Sequence, residues 1–274
     1  MKNKDILKYL ENRFPYTLAS DFDKGKIGLT IGSANSDVKG IVCSLDLTYE
    51  VIKDAITKNA NLIITHHPLL FNPISKINPD DEKGKIIYAM IKNNISLISM
   101  HTNMDLGVNG VADTLALTYN LKHSNIYANT PDEFIRIGTI DPTTLNDLIK
   151  KTKEIFHLSG VRYVGKLDKK IKKIAVLGGS GGQESEIMEA VRNNCDCYIT
   201  GELKHHLGLL AHHYDIALIE VNHGVEQLVF NNLIEDLKKE FSSIKIEYSS
   251  YNTDLFKTIE SVGQAASHAP QSMH

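Results

Sequence analysis

Asn61-Leu62-Ile63-Ile64-Thr65-His66-His67-Pro68 is the stretch on which the reading of this chain turns. Residues 61–64 form a short apolar run, which reads as a strand buried on both faces. Two imidazoles stand where that strand must stop. Pro68 has no N–H to give to a ladder and holds His67 in extended backbone. The same order returns twice downstream. Leu97-Ile98-Ser99-Met100 runs into His101-Thr102-Asn103-Met104-Asp105, and Ala217-Leu218-Ile219-Glu220-Val221 runs into Asn222-His223-Gly224-Val225-Glu226. Three apolar strands thus each deliver histidine, two of them with a carboxylate about a turn further on. Open α/β sheets collect ligands at the carboxyl ends of their strands. Histidine with Asp and Glu suits divalent transition metals, and a carboxylate has two oxygens with which to bridge two ions. The pattern predicts a metal site, read as dinuclear.

Outward from this stretch, strands and helices alternate. Helical spacing covers 6–14, a strand covers 40–45, and Thr48 is placed to cap a helix through 58. Helices are expected at 84–94 and 109–119. This rhythm predicts an α/β unit with a largely parallel sheet. It changes around 126–142, where Thr130-Pro131 and Asp141-Pro142 read as breakers. A helix at 144–156, strands at 161–164, 171–177 and 197–200, and a helix through 193 then suggest a second, smaller α/β domain. The expected division is 1–125 with 218–260 for the metal-binding domain and 126–217 for the second. Residues 261–274 are small and polar without periodicity, and a disordered tail is expected there.

The totals narrow the class. The chain has 274 residues, and 30 Lys and Arg against 33 Asp and Glu leave a formal charge of −3. That balance, with lysines spread along the chain, gives no strong nucleic-acid signal. No apolar run reaches the roughly 18 residues that span a bilayer, and residues 1–5 lead into an amphipathic pattern without a signal-peptide core. Three cysteines make no disulfide framework, so a cytoplasmic location is expected. Cys195-Asp196-Cys197 has no second pair to complete a tetrahedral site, and small core residues are the simpler reading.

The candidate residues carry competing readings. His66 and His67 are adjacent and would point to opposite sides of a strand, so both serve one centre only if the chain turns there. His101 and Asp105 are four apart and His223 and Glu226 three apart, and either spacing shares a helical face. Asp105 is read as the bridge. Glu202, with His205 or His206, is open to reading as further ligation, a pocket edge, or an acidic first turn of a helix. His212 and His213 read as surface residues. Gly178-Gly179-Ser180-Gly181-Gly182 sits between a strand and a helix, where backbone N–H groups bind phosphate, but it fails both the dinucleotide and P-loop patterns. A tight structural turn is the favoured reading. No Gly-x-Ser-x-Gly elbow ends a strand, which argues against a serine hydrolase.

Over roughly residues 5–260 the chain resembles the NIF-three-like dinuclear-metal family, whose members are described as GTP cyclohydrolase I type 2 homologues. The resemblance is carried by Leu62 through Phe71, by His101-Thr102-Asn103-Met104-Asp105, by Gly178-Gly179-Ser180-Gly181, by Thr200-Gly201-Glu202 and by His223 through Glu226. It implies a fold of two interlinked α/β domains with mixed, largely parallel sheets. It also implies metal ligands His66, His67, Asp105, His223 and Glu226, with His101 lining the same site. By the same analogy two divalent ions (Zn, Fe, Mn or Co) activate water against a small-molecule substrate such as a nucleotide, with His101 or Glu202 shuttling protons. A toroidal homohexamer is likewise implied. The alternative is a non-catalytic metal-binding adaptor or regulatory oligomer. This chain departs from the family's pattern in two places. Its last His and Glu are three apart where the family usually has four, and the N-terminal Asp-Asn-x-Gly-Leu pattern appears as Asp23-Lys24-Gly25-Lys26-Ile27-Gly28-Leu29. The chain matches the short form, without the domain some members insert between the halves.

Overall fold

Alternation along the strands explains the layering. Leu62 and Ile64 face one hydrophobic core and Ile63 faces another, and Ile98 and Leu97 divide in the same way. Strands buried on both faces belong in a parallel sheet covered by helices. The computed structural model, which describes residues 1–126 and 134–256, places them there. Gly28–Ile31 (β1), Gly40–Ser44 (β2), Leu62–Thr65 (β3), Ser96–Ser99 (β4) and Lys245–Tyr248 (β11) form a sheet of order β1-β4-β3-β2-β11. Only the β1–β4 pair in it is antiparallel. Asn3–Arg13 (α1), Tyr49–Thr57 (α2), Glu82–Lys92 (α3), Thr102–Leu106 (α4) and Val111–Thr118 (α5) accompany it. Thr48 caps α2, its hydroxyl accepting from the Val51 N–H at 3.3 Å.

The second sheet contains Lys122–Ile126 (β5), Arg136–Thr144 (β6), Arg162–Val164 (β7), Lys170–Leu177 (β8), Cys197–Thr200 (β9) and Ala217–Glu220 (β10), in the order β5-β6-β8-β9-β10-β7. Its helices are Leu145–Phe156 (α6), Glu184–Arg192 (α7) and His205–His213 (α8). Here β8, β9 and β10 are parallel and the rest antiparallel, so the fold is the expected α/β class with mixed, largely parallel sheets. Asp141-Pro142 does not break the chain. It lies inside β6, where the pairing with β8 shifts register between Thr139 and Thr143. An irregularity of this kind accommodates a residue that cannot donate to the ladder. Thr130-Pro131 and the tail 261–274 lie outside the described residues.

After β10 the chain passes through a 3₁₀ turn, His223–Leu228, and Val229–Glu240 (α9), then joins the first sheet as β11. One core runs between the two sheets, with Ile64, Ile98 and Met100 from one side and Val176, Ile199 and Ile219 from the other. Cys43 and Cys197 are part of it, and all three cysteines are free and buried. The carboxyl ends of β3, β4, β8, β9 and β10 are thereby brought to a common region. Among the described residues no helix is long and apolar enough to cross a membrane.

Candidate metal centre

β3 ends at Thr65, and the chain turns at once. The Thr65 hydroxyl donates to the carbonyl of His67 at 2.9 Å, and the His67 N–H donates to the Leu45 carbonyl at 3.0 Å. This turn brings two adjacent histidines to one centre, with ring centroids 4.9 Å apart. His66 is 1% exposed, and its Nδ1–H donates to the Met100 carbonyl at 3.0 Å, so Nε2 is left to face the centre. His67 gives its Nδ1–H to Asp46 at 2.6 Å.

His101 stands at the start of the short helix α4, which carries Asp105 one turn on. Its Nδ1 lies 2.8 and 2.9 Å from the two oxygens of buried Asp23. Asp23 also accepts from the Thr102 N–H at 3.0 Å and from the Thr102 hydroxyl. The last motif solves its spacing locally. A 3₁₀ helix has three residues per turn, so residues i and i+3 eclipse. His223 Nε2 accordingly lies 3.2 Å from Glu226 Oε2. The Nδ1–H of His223 is taken by Glu202 at 2.8 Å.

Every histidine of the cluster thus has Nδ1 held by an oxygen and Nε2 left over. Metal-binding histidines are oriented in this way, because the outer hydrogen bond fixes both tautomer and ring. The Nε2 atoms of His66, His67 and His223 converge on one carboxylate. Glu226 Oε2 is 3.2 Å from His67, 3.2 Å from His223 and 3.6 Å from His66, and Asp105 Oδ1 is 3.5 Å from His66. Among the described residues three overlapping groups could each hold an ion: His66, His67 and His101; His67, His223 and Glu226; and His66, Asp105 and Glu226. Glu226 belongs to two of them and Asp105 to one, so Glu226 is the carboxylate shared across the cluster.

The electrostatics fit a cation. His67 Nε2, His223 Nε2 and Glu226 Oε2 form a triangle with sides of 3.2 Å, a cluster of donor atoms that draws in positive charge. Burial would push the His67 imidazole down, but hydrogen bonds to Asp46 and Glu226 push it up to about 10. Burial pushes His66 down to about 3, which keeps its Nε2 lone pair free. Burial, then the charge of Glu226, raises the Asp105 carboxyl well above its usual range. For Glu226 the same burial is outweighed by hydrogen bonds from His223 and His67, and its carboxyl is lowered.

All five expected ligands and His101 are brought together. Glu202 is adjacent but lies behind His223, and its second oxygen accepts from Ser180 at 3.2 Å. His205, His206, His212 and His213 are exposed on α8 and belong to none of the three groups. The glycine run is explained by close approach. A Cβ on Gly179, at φ +55°, would sit 2.3 Å from Glu226 Oε1, and one on Gly178 3.1 Å from it. Sequence reasoning missed Asp46 and Asp23. Asp46 follows the apolar run 41–45 and obeys the same strand-end rule as the histidines, so it was legible. Asp23 follows no strand, and only the altered N-terminal pattern marked its neighbourhood.

The chain's kinship rests on two kinds of likeness. The profile of the Duf34/NIF3 (NGG1p interacting factor 3) family matches residues 1–255. This chain belongs to the Duf34/NIF3 family. A Clostridium acetobutylicum protein named GTP cyclohydrolase 1 type 2 homolog is 38% identical over 229 residues, covering 81% of this chain and 84% of that protein. A Clostridium perfringens protein of the same name is 33% identical over 249 residues, covering 89% and 94%. The crystal structure of Staphylococcus aureus protein SA1388 superposes with a TM-score of 0.86 at 30% identity, covering 94% of this chain and 99% of that one. The matches cover more than four fifths of each of these Duf34/NIF3 relatives.

Proposed function

We propose that this Duf34/NIF3 chain holds two divalent ions and hydrolyses a nucleotide or other small heterocycle. The observation that carries the reading is the convergence of imidazole Nε2 atoms and two carboxylates, one of them buried, with every Nδ1 pinned from outside. His66, His67, Asp105, His223 and Glu226 would hold the ions. Divalent ions in such a cluster supply Lewis acidity and lower the pKa of bound water.

The chain's own residues do the rest. A cavity of about 550 Å³ opens on the cluster and is lined by His101, Asp105, Glu226 and Ser180 among others. His101, steered by Asp23, is placed to move a proton at Nε2 on the cavity side. Glu202 enters as a positioning residue for His223 rather than a proton shuttle, because it lines the hollow behind that ring and not this cavity. The relatives' name, GTP cyclohydrolase 1 type 2 homolog, supports a nucleotide substrate. The homohexamer and the cytoplasmic location belong to the same proposal.

Elemental analysis of tag-free wild type and Asp105→Ala tests the centre, and a nucleotide panel with Mn²⁺, Fe²⁺ or Zn²⁺ tests the reaction. About two equivalents of metal in wild type, a sharp fall in the variant and turnover that falls with it are expected. Full occupancy with no turnover across the panel would favour the adaptor reading. Little metal in wild type after reconstitution would remove the enzyme reading altogether.

A further inference from the structure

The mouth of the cavity is aromatic in a way the metal centre does not require. Phe22 is 52% exposed and Phe71 38% exposed, yet both line the cavity. Their ring centroids are 6.2 Å apart with planes tilted by 57°, and each stands about 6 Å from the His101 ring (6.3 and 6.0 Å). The three rings form an open V with His101 at its base. Both phenylalanines are mounted on the segments that build the centre. Phe22 precedes Asp23, which pins His101, and Phe71 lies four residues beyond His67. Lys26 Nζ lies 3.9 Å from the Phe71 centroid and is outside the cavity lining, so it holds that ring in place without filling the V.

Apolar rings left in water at a cavity mouth gain most from a flat partner with π-faces of its own. The volume suits a ligand of nucleoside size, and Ser180 and Glu186 on the lining offer polar contacts to its edge. We infer that Phe22 and Phe71 form an aromatic clamp in which a planar heteroaromatic ring stacks on one phenyl face and meets the other edge-on, beside His101 at the metal centre. The inference rests on the reading of this cavity as the substrate side of a metal centre, and it names the part of the substrate that is recognised.

The test is calorimetric titration of the metal-loaded full chain with two probes, GMP and ribose 5-phosphate, which differ by the base alone. Wild type should bind GMP at least about ten-fold more tightly, the scale of one base stacked on one aromatic side chain. Phe22→Ala and Phe71→Ala should each remove most of that preference and leave ribose 5-phosphate binding unchanged, while Phe71→Trp should keep it. Metal content and melting temperature are measured on every variant and should match wild type. A wild-type chain without preference for GMP, including one that binds neither probe, overturns the clamp. So does a Phe22→Ala/Phe71→Ala variant that keeps the preference, or that changes only the assembly state in sedimentation. A chain that prefers GMP but holds no metal would instead sink the hydrolase reading and leave the clamp standing.

Discussion

Asp46 Oδ1 accepts the Nδ1–H of His67 at 2.6 Å, on the opposite side of the ring from Glu226. The two carboxylates thus have different work, one aiming the imidazole and the other meeting its free nitrogen. Removing an outer partner of this type costs 10–100-fold in metal affinity. Asp46→Ala should therefore weaken metal binding by about 30-fold and leave the fold intact, as read by competition with a chelating dye and by circular dichroism. Unchanged affinity would show that His67 is aimed by its backbone turn alone.

Glu226→Gln probes the shared carboxylate. Gln keeps the shape and removes the charge, so the three facing imidazoles lose the anion they share. Metal affinity should fall by more than about 100-fold, beyond the range for an outer partner, and by more than in Asp46→Ala under the same titration. A smaller loss than in Asp46→Ala would move the shared role from Glu226 back to Asp105.

Gly179 and Gly25 form a matched pair, both with positive φ (+55° and +78°), but only Gly179 faces an obstacle. Gly25→Ala meets open space and should lose about 1 kcal/mol, the backbone cost of the left-handed conformation. Gly179→Ala must also displace Glu226 and should lose about 3 kcal/mol, with reduced metal content. Urea denaturation of the metal-free proteins separates the two. Equal losses would mean that the glycine run does not support the centre.

Asp54 ties α2 to the end of β11, accepting from Lys58 at 2.7 Å, the Ser250 N–H at 2.9 Å and the Ser249 hydroxyl at 3.2 Å. Burial would raise its carboxyl, but these bonds lower it. A depressed carboxylate contributes stability above its unfolded pKa of about 3.9 and loses it as pH falls through the folded value. Asp54→Asn should cost about 2 kcal/mol at pH 7, with the gap to wild type closing below about pH 4. A gap constant from pH 7 to pH 3 would assign the cost to packing.

Much of this molecule was legible in the chain. Apolar runs leading to histidine marked where strands end, β3 at Thr65, β4 at Ser99 and β10 at Glu220, one to three residues before the imidazole. Thr48 and the helical spacings placed α2, α3 and α6 within about two residues. The sequence named every side chain that now faces Glu226. It could not determine which oxygen holds each Nδ1. Asp23 and His101 are 78 residues apart, His67 and Asp46 21, and Glu202 and His223 21. No periodicity links such pairs: neighbouring strands of one sheet bring each pair into contact, and only the meeting of the two sheets sets His67 against His223 and Glu226. Nor did spacing alone establish that a separation of three from His223 to Glu226 suffices, since that follows from the 3₁₀ turn the chain adopts after β10. Local pattern determined the donors, and the tertiary structure decided where each one points.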